Sequence, residues 1–400
     1  MLYVGWDWAA ESHDVTVMNT EGAIVDRWSV THDAGGIDAA LRRLVSHGDP
    51  GESAVAIETR KGLVVGRLIA AGFAVVPIHP NSFNATRPRW GASRAKSDPG
   101  DSWKLADYVR TDGHRLARLD AVATPTADLQ ALCRARDDLV EAKIGAMNQL
   151  DAVLATHWPG ATRVFFSLDS DVALSFLERY PTQASASRLG PGRMRQFCER
   201  VGYTGRRSPV ELIDRLRSAP TPAATLSTEA VAAIVMAHVS VLRQVLTSLR
   251  TLEAEITAAV KAHPKSAVLA TLPRVGRINL AQIIGEVGPI LDSAIDVDHA
   301  CAQVGASPVT RESGKQRHVS FRWTANTRAR KALITFADNS RHDCPWAADR
   351  YAAARSRNKR HPHAVRIVAR SWLRVIWACW HTDTAYDPNH HRQPVLAAAG

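Results

Sequence analysis

The sequence predicts an α/β N-terminal domain, a long helical middle segment and a mainly α C-terminal domain. Three observations carry this. Short apolar runs alternate with amphipathic stretches over residues 1–112. Apolar residues then recur at seven-residue spacing in two long segments. Helical periodicity dominates residues 266–380. At 400 residues the chain has room for two or three domains.

Residues 2–8 (LYVGWDW) read as a buried strand, 14–19 (DVTVMN) as a second and 23–30 (AIVDRWSV) as a third. Thr20-Glu21-Gly22 makes the turn between the last two. A helix follows over 36–47, with Ile37, Leu41 and Leu44 on one face. Residues 53–58 (SAVAIE) form a fourth strand, 62–71 a helix and 73–79 (FAVVPIH) a fifth strand. A helix starting near Asp98 runs to about Arg110. Three meandering strands followed by alternating helix and strand imply a mixed sheet covered by helices. That is the element order of the ribonuclease-H-like nuclease fold.

Residues 113–125 are a linker containing Pro125. Over 126–157 Leu132, Leu139, Ala146 and Val153 recur every seven residues. Residues 158–226 hold prolines, glycines and short helices, an irregular insert within a helical region spanning 126–262. Over 228–262 Leu242, Leu249 and Ile256 alternate with Val245, Leu252 and Ala259, the a/d spacing of a coiled coil. Such a helix either joins subunits or folds back on the first as an intramolecular hairpin. The tail, 382–400, has little to bury and is expected to be disordered.

Composition removes several classes. No run of 18 uncharged apolar residues appears, so no transmembrane helix is expected. The start, MLYVGWDWAAESHD, carries acids where a signal peptide has a basic and then an apolar segment, so export is not expected. Five cysteines lie far apart with no C-x-x-C, which argues against a zinc ribbon or disulfide scaffold and fits a reduced cytoplasm. The net charge of +11 points to nucleic acid as partner. Between Arg311 and Arg374 stand 16 Lys and Arg against 4 acids, interleaved with Phe321, Trp323, Trp346 and Tyr351. A solvated basic surface would explain the charge alone; the aromatics favour a phosphate-binding face. Arg322, Arg328 and Arg330 are its candidate contacts.

Four acids form a candidate metal site: Asp7, Glu58, Asp98 and Asp101. Asp7 lies in an apolar strand, where a carboxylate is costly without a partner. Glu58 ends the fourth strand, the neighbour of the first in a ribonuclease-H-like order. Carboxylate oxygens suit hard divalent cations such as magnesium, and paired metals stabilise both oxygens of a phosphoryl transfer. Asp98 and Asp101 are three apart in KSDPGDSWKLAD, residues 96–107, and share a helical face. Asp98 before Pro99 also reads as a helix cap, with Asp101 favouring the helix dipole.

In the C-terminal region, ATLPRVGRINLAQIIGEVG (270–288) resembles a helix-hairpin-helix in which the backbone near Gly276 holds a DNA phosphate. A glycine turn between two core helices reads equally well there. Ser313, between Glu312 and Gly314, is flanked by Arg311, Lys315 and Arg317. On local grounds such a serine is a turn residue.

Together these blocks resemble transposases of the insertion-sequence-110 type, the DEDD transposase family. VGWDWAAESHDVTV, AIETRKGLVVGRLIAAGFAVVPIHP and KSDPGDSWKLAD correspond to the family's acidic blocks. LPRVGRINLAQIIGEVG, GASPVTRESGK and RNKRHPHAVRIVARSWLRVIW correspond to its C-terminal transposase domain. Ser97 and Ser102 depart from the Thr and Ala usual beside the paired acids. The resemblance implies a RuvC-like N-terminal domain, metal ligation by Asp7, Glu58, Asp98 and Asp101, and Ser313 as nucleophile. It also implies a structured guide RNA and a homo-oligomer, dimer or tetramer, joined through the coiled coil.

The expected function is thus a cytoplasmic, magnesium-dependent DNA transposase or site-specific recombinase working through a serine–phosphate intermediate. The rivals are a Holliday-junction-type nuclease without serine chemistry, a DNA invertase of the same family, and a non-enzymatic nucleic-acid-binding derivative.

Overall fold

A computed structural model describes residues 1–91, 98–223, 225–314 and 316–391, with the backbone alone at Asp98, Pro99 and His391. The chain divides into two compact units, Met1–Ala123 and Thr124–Gly400.

The first unit is built on β1 (Leu2–Asp7), β2 (Ser12–Met18) and β3 (Ile24–Thr31), then α1 (Ala34–Ser46), β4 (Ser53–Ile57), α2 (Leu63–Ala70) and β5 (Ala74–Pro77). A short helix, α3 (Pro80–Thr86), and α4 (Asp98–Asp112) complete it. The sheet order is β3-β2-β1-β4-β5. The first three strands pair antiparallel; β4 pairs parallel with both β1 and β5. The expected α/β unit with a mixed sheet is therefore present, and the elements read from the sequence begin and end within a few residues of that reading; α3 is not among them. Gly22 supplies the positive φ of the β2–β3 turn.

Alternation along β1 sorts its side chains. Val4 and Trp6 are fully buried among Val15, Ile37, Leu41, Val55 and Val64, the core beneath α1 and α2. Each such side chain contributes about 1.5–3 kcal/mol. The opposite face is narrow: Gly5 pairs with Ala56, and Tyr3 with Ala54. Gly5, Ala54 and Ala56 let α4 lie close, with Leu105 and Val109 closing a second core over Ala54, Ala56 and Val76.

The second unit is mainly helical. Its long helices are α5 (Thr124–His157) and α10 (Thr228–Ala262). Between them stand α6 (Ala161–Val164), α7 (Asp171–Arg179), α8 (Pro191–Arg200) and α9 (Pro209–Arg217). These form an aromatic-rich core around Trp158, Phe165, Phe176 and Phe197, a more ordered insert than its prolines and glycines suggest. The two long helices pack on each other within the chain. Leu129 and Cys133 meet Ile256 and Val260 at one end; Ala146, Leu150 and Leu154 meet Leu242, Val235 and Val231 at the other. The pair is antiparallel, the arrangement of an intramolecular hairpin. On α5 the fully buried positions are Thr126, Leu129, Cys133, Ala146, Leu150 and Leu154; of the Leu132, Leu139, Ala146, Val153 heptad, Ala146 is buried and Leu132 and Val153 pack partly buried against the same cores. Part of α10 is long and apolar enough by composition to cross a membrane. One face of it packs on α5, with 22% of that stretch buried, and its Arg243 pairs with Glu178 and Asp171.

After α10 come α11 (Ser266–Leu269), α12 (Arg277–Gln282), a π-helical turn at Ile283–Val287, α13 (Gly288–Ser293) and α14 (Val297–Val304). A two-stranded ribbon follows, β6 (Val309–Ser313) and β7 (Gln316–Ser320), then α15 (Thr327–Ser340), α16 (Pro345–Ser356) and α17 (His361–Thr382). The ribbon is absent from the sequence reading. Trp372 anchors the core of this region, with its indole N–H donating to Ser340 Oγ at 2.8 Å. Just past α17 the chain still makes contacts: the Tyr386 ring lies 5.2 Å from Trp372, and its backbone N–H donates to Thr271; the rest of the expected disordered tail, 392–400, lies outside the described residues.

Candidate functional site

In the first unit the register Trp6–Ile57 leads directly to Asp7 and Glu58, at the carboxyl ends of two adjacent parallel strands. Both are half-buried. Asp7 also stands opposite Asp14 on β2, and Asp14 accepts a hydrogen bond from Ser29 at 2.7 Å. Asp14 thus adds a third carboxylate to this edge, one the sequence reading passed over. The signal was available: a tight hairpin folds residues 7 and 14 onto one face.

The direction of α4 follows from its contacts. Ser102 hydrogen-bonds Thr16, the cross-strand partner of Gly5, at 2.8 Å. Two turns later Arg110 reaches the carbonyl of Thr20. The helix therefore runs antiparallel to β1, and its first turn lies at the end where Asp7 and Glu58 stand. Asp98 begins α4 there; its side chain falls outside the described residues.

Asp101 has a definite role. Its buried carboxylate accepts from Arg87 at 2.7 and 3.0 Å and from Lys104 at 3.0 Å. Burial pushes its pKa up, but Arg87 and Lys104 outweigh this and hold it below the usual carboxylate value. As folded, its oxygens are committed to these cations, so it is not presented as an open ligand. Among the described residues, no three His, Cys, Asp or Glu side chains are grouped closely enough to hold a metal ion. The oxygen donors of Asp7 and Glu58 nevertheless suit a hard divalent cation. Nearby, the buried His13 accepts from the Ala9 backbone N–H and shares a 2.8 Å hydrogen bond with His32. Burial, and then His32, lower its pKa.

In the second unit Ser313 is the last residue of β6, exposed at the tip of the ribbon. It pairs with Gln316, and Gly314 takes a φ of +56°, the left-handed value that a tight turn demands. Arg317 pairs across the ribbon with Glu312 at 3.0 Å, while Arg311 is exposed opposite His318. Lys315 lies outside the described residues. Gly276 precedes α12 as its N-cap, with no side chain to crowd an approaching group.

The basic residues below the ribbon have individual duties. Arg322 donates to the carbonyls of Ser307 and Pro308. Arg328 pairs with Asp138 at 3.2 Å. Arg330 donates to the carbonyls of Arg322 and Val304 and lies 4.6 Å from the Phe321 ring centroid. Three of the four aromatics singled out in the sequence carry guanidinium groups: Arg366 as well as Arg330 on Phe321, Arg350 on Trp346, and Arg341 on Tyr351. Trp323, 81% exposed, stands edge-on to Phe321.

Two family models match these regions. One, described as a transposase of the DEDD IS110 type, matches residues 4–159; the other, the IS116/IS110/IS902 transposase family, matches residues 266–352. The chain belongs to the IS110 family of transposases. It is thus the transposase of a mobile element, a protein that acts on DNA. A mini-circle transposase ascribed to IS117 of Streptomyces coelicolor is 29% identical over all of this chain and 98% of its own length. The 42 kDa protein of insertion element IS900 from Mycobacterium paratuberculosis is 24% identical over 97% of each chain. The 43.6 kDa protein of insertion element IS110, also from Streptomyces coelicolor, is 29% identical over 76% of this chain and 75% of its own. The first IS110-family match takes in Asp7, Glu58, Asp98 and Asp101; the second takes in Gly276 and Ser313. The helical insert α6–α9 falls between them, and α17 lies beyond both.

Proposed function

We propose that this transposase cuts and rejoins DNA through a covalent bond to Ser313, with a divalent metal held by its acidic set. The position of Ser313 carries the reading: an exposed hydroxyl at the tip of a projecting cationic ribbon, open to a backbone phosphate. Its Oγ attacks phosphorus, an O–P bond forms and the bond to one deoxyribose oxygen breaks, that oxygen leaving with a proton. Attack by a new deoxyribose hydroxyl reverses the step, so each bond broken is matched by one formed. Arg311 and Lys315 neutralise charge building on the phosphoryl oxygens, which is usually the largest contribution to such catalysis.

Asp7, Glu58 and Asp98, at the β1–β4 edge, would hold magnesium, and Asp101 would join them only by releasing Arg87 and Lys104. When bound, the metal would supply charge for the phosphoryl oxygens and lower the proton affinity of the attacking hydroxyl. The sheet order β3-β2-β1-β4-β5 supports a ribonuclease-H-like, RuvC-like origin for the first unit. The net charge of +11 suits a structured guide RNA as well as DNA. Assembly as a dimer or tetramer would use the exposed flank of the α5–α10 pair, where Ile144 and Val241 face solvent. The cytoplasm is the expected site of action.

The test is trapping. A nicked suicide substrate should leave a denaturant-resistant protein–DNA adduct, with the nucleotide mapping to Ser313. Ser313→Ala should fold and bind DNA but give neither adduct nor recombinant. Recombination by Ser313→Ala would make the acidic-site nuclease the better reading.

A further inference from the structure

A cleft of about 740 Å³ opens between the base of the β6–β7 ribbon, α16 and α17. Arg350, His363, Arg366, Arg370 and Arg374 line it, and among the described lining residues there is no carboxylate. Asp298, outside the lining, pairs with Arg370 and Arg374 at 3.0 and 2.6 Å. Arg350 and Arg366 have no acidic partner within salt-bridge distance among the described residues. The two guanidinium groups against Phe321, Arg330 and Arg366, are both pulled below the ordinary arginine pKa, by burial first and, for Arg330, by Arg366. Partly buried charge of one sign without a counter-charge is costly, and an anion in the cleft removes that cost.

We propose that this cleft binds the backbone of an unpaired nucleic-acid strand, with Arg350 and Arg366 on phosphate and a base against the Arg350–Trp346 stack. The strand reading follows from shape and lining. The volume suits roughly one or two nucleotides and is too small for a duplex. Val319, Ile367 and Val375 give the lining an apolar part that suits a base or sugar and that bare phosphate would not use. Arg350 lies 4.8 Å from the Trp346 ring centroid, and a guanidinium plane of this kind is a stacking surface for bases. Position points the same way. Val319 and Ser320 at the base of the ribbon line the cleft, and Ser313 ends β6 at the tip. Five strand residues span roughly 17 Å, so a strand anchored in the cleft and following the ribbon would bring a phosphate a few nucleotides away to the tip. This inference rests on the strand-transfer reading for which strand is held. Of the two anchoring residues, Arg366 lies on α17, beyond both matched regions, and Arg350 on α16, within the second.

The test is the double variant Arg350→Gln, Arg366→Gln in the full chain, titrated with short oligothymidine, oligouridine and duplex DNA at several salt concentrations. Single-strand affinity should fall about tenfold and its salt slope should shrink by about 1.4, two phosphates' worth, while duplex affinity stays within about twofold. A preference for oligothymidine or oligouridine identifies the strand as DNA or RNA. The paired Lys variant keeps the charge and loses the stack, so it should fall between; it also serves if the Gln pair folds poorly, as judged by its melting temperature. Unchanged single-strand affinity in both pairs overturns the cleft assignment and leaves the Ser313 reading standing. Thermal protection by inorganic phosphate equal to that by the strand also overturns it, in favour of a free-anion site. Wild type that binds no nucleic acid would sink the strand-transfer reading as well.

Discussion

Gly5 lies directly beneath Ser102: a Cβ at residue 5 would overlap the Ser102 carbonyl oxygen and come within 2.5 Å of the Ala106 nitrogen. The hydrogen bond from Ser102 to Thr16 locks the same approach one strand over. This contact sets the height of α4 above the sheet and brings its first turn to the end where Asp7 and Glu58 stand.

Gly5→Val should therefore cost about 1–3 kcal/mol or more, because backbone on the far side cannot give way as a flexible side chain can. DNA cleavage should be lost with it. Gly66→Ala, in α2 with nothing within 4 Å of the added methyl, should instead stabilise by about 0.5–1 kcal/mol. Urea titrations of both variants check this; an unaffected Gly5→Val would mean that α4 does not pack as described.

Asp101→Asn should destabilise the first unit by about 3 kcal/mol, since it leaves Arg87 and Lys104 without their buried partner. The pH sign follows from the lowered carboxyl pKa. Wild type holds this stabilisation above the usual carboxylate range and loses it as pH falls through the depressed value. Melting curves from about pH 7 downwards should show the wild-type advantage over Asp101→Asn shrinking in acid. A constant gap would mean that the ion pair is not its source.

Asp7→Asn separates ligand from scaffold. It should leave DNA affinity nearly unchanged and abolish strand cleavage, as should chelator with wild type. Full cleavage in either case rules the acidic set out of the chemistry.

Arg328 and Arg330, alike in sequence, should differ in effect. Arg330→Ala strips two carbonyls of a donor and uncovers Phe321, so it should lower the melting temperature. Arg328→Ala gives up one solvent-exposed pair with Asp138, worth at most about 1 kcal/mol, and should act mainly on nucleic-acid affinity and its salt dependence. Equal loss of stability in both would contradict this division.

Much of the first unit was legible in the sequence because its signals are local. Val4 and Trp6 alternate with Tyr3 and Gly5, so one strand declares both its faces within a few residues. Strand order then made Asp7 and Glu58 neighbours. The family resemblance singled out Ser313, which local pattern alone would have left a turn residue. The β6–β7 ribbon gave no local signal: it is exposed on both faces, so VTRES and QRHVS carry no hydrophobic alternation. The α5 heptad marked part of the packed stripe, with Leu132, Ala146 and Val153 in or against the cores, but could not fix its partner. An antiparallel partner within the chain selects Leu129, Cys133, Leu150 and Leu154, and only the facing residues of α10 decide which stripe is buried.

By itself, then, the sequence determined the strand order of the first unit and its helices other than α3, the family, the cationic excess of residues 311–374 and the identity of the acids. Tertiary structure alone decided that Asp101 is held by Arg87, that Arg330 braces backbone, and that Arg350 and Arg366 share one cleft without a carboxylate among its described lining. Periodicity reports which face of an element is apolar, because burial is repeated along the chain. Charge pairing is not repeated: it depends on single side chains brought together from distant positions, and no pattern along the chain encodes which cation meets which acid.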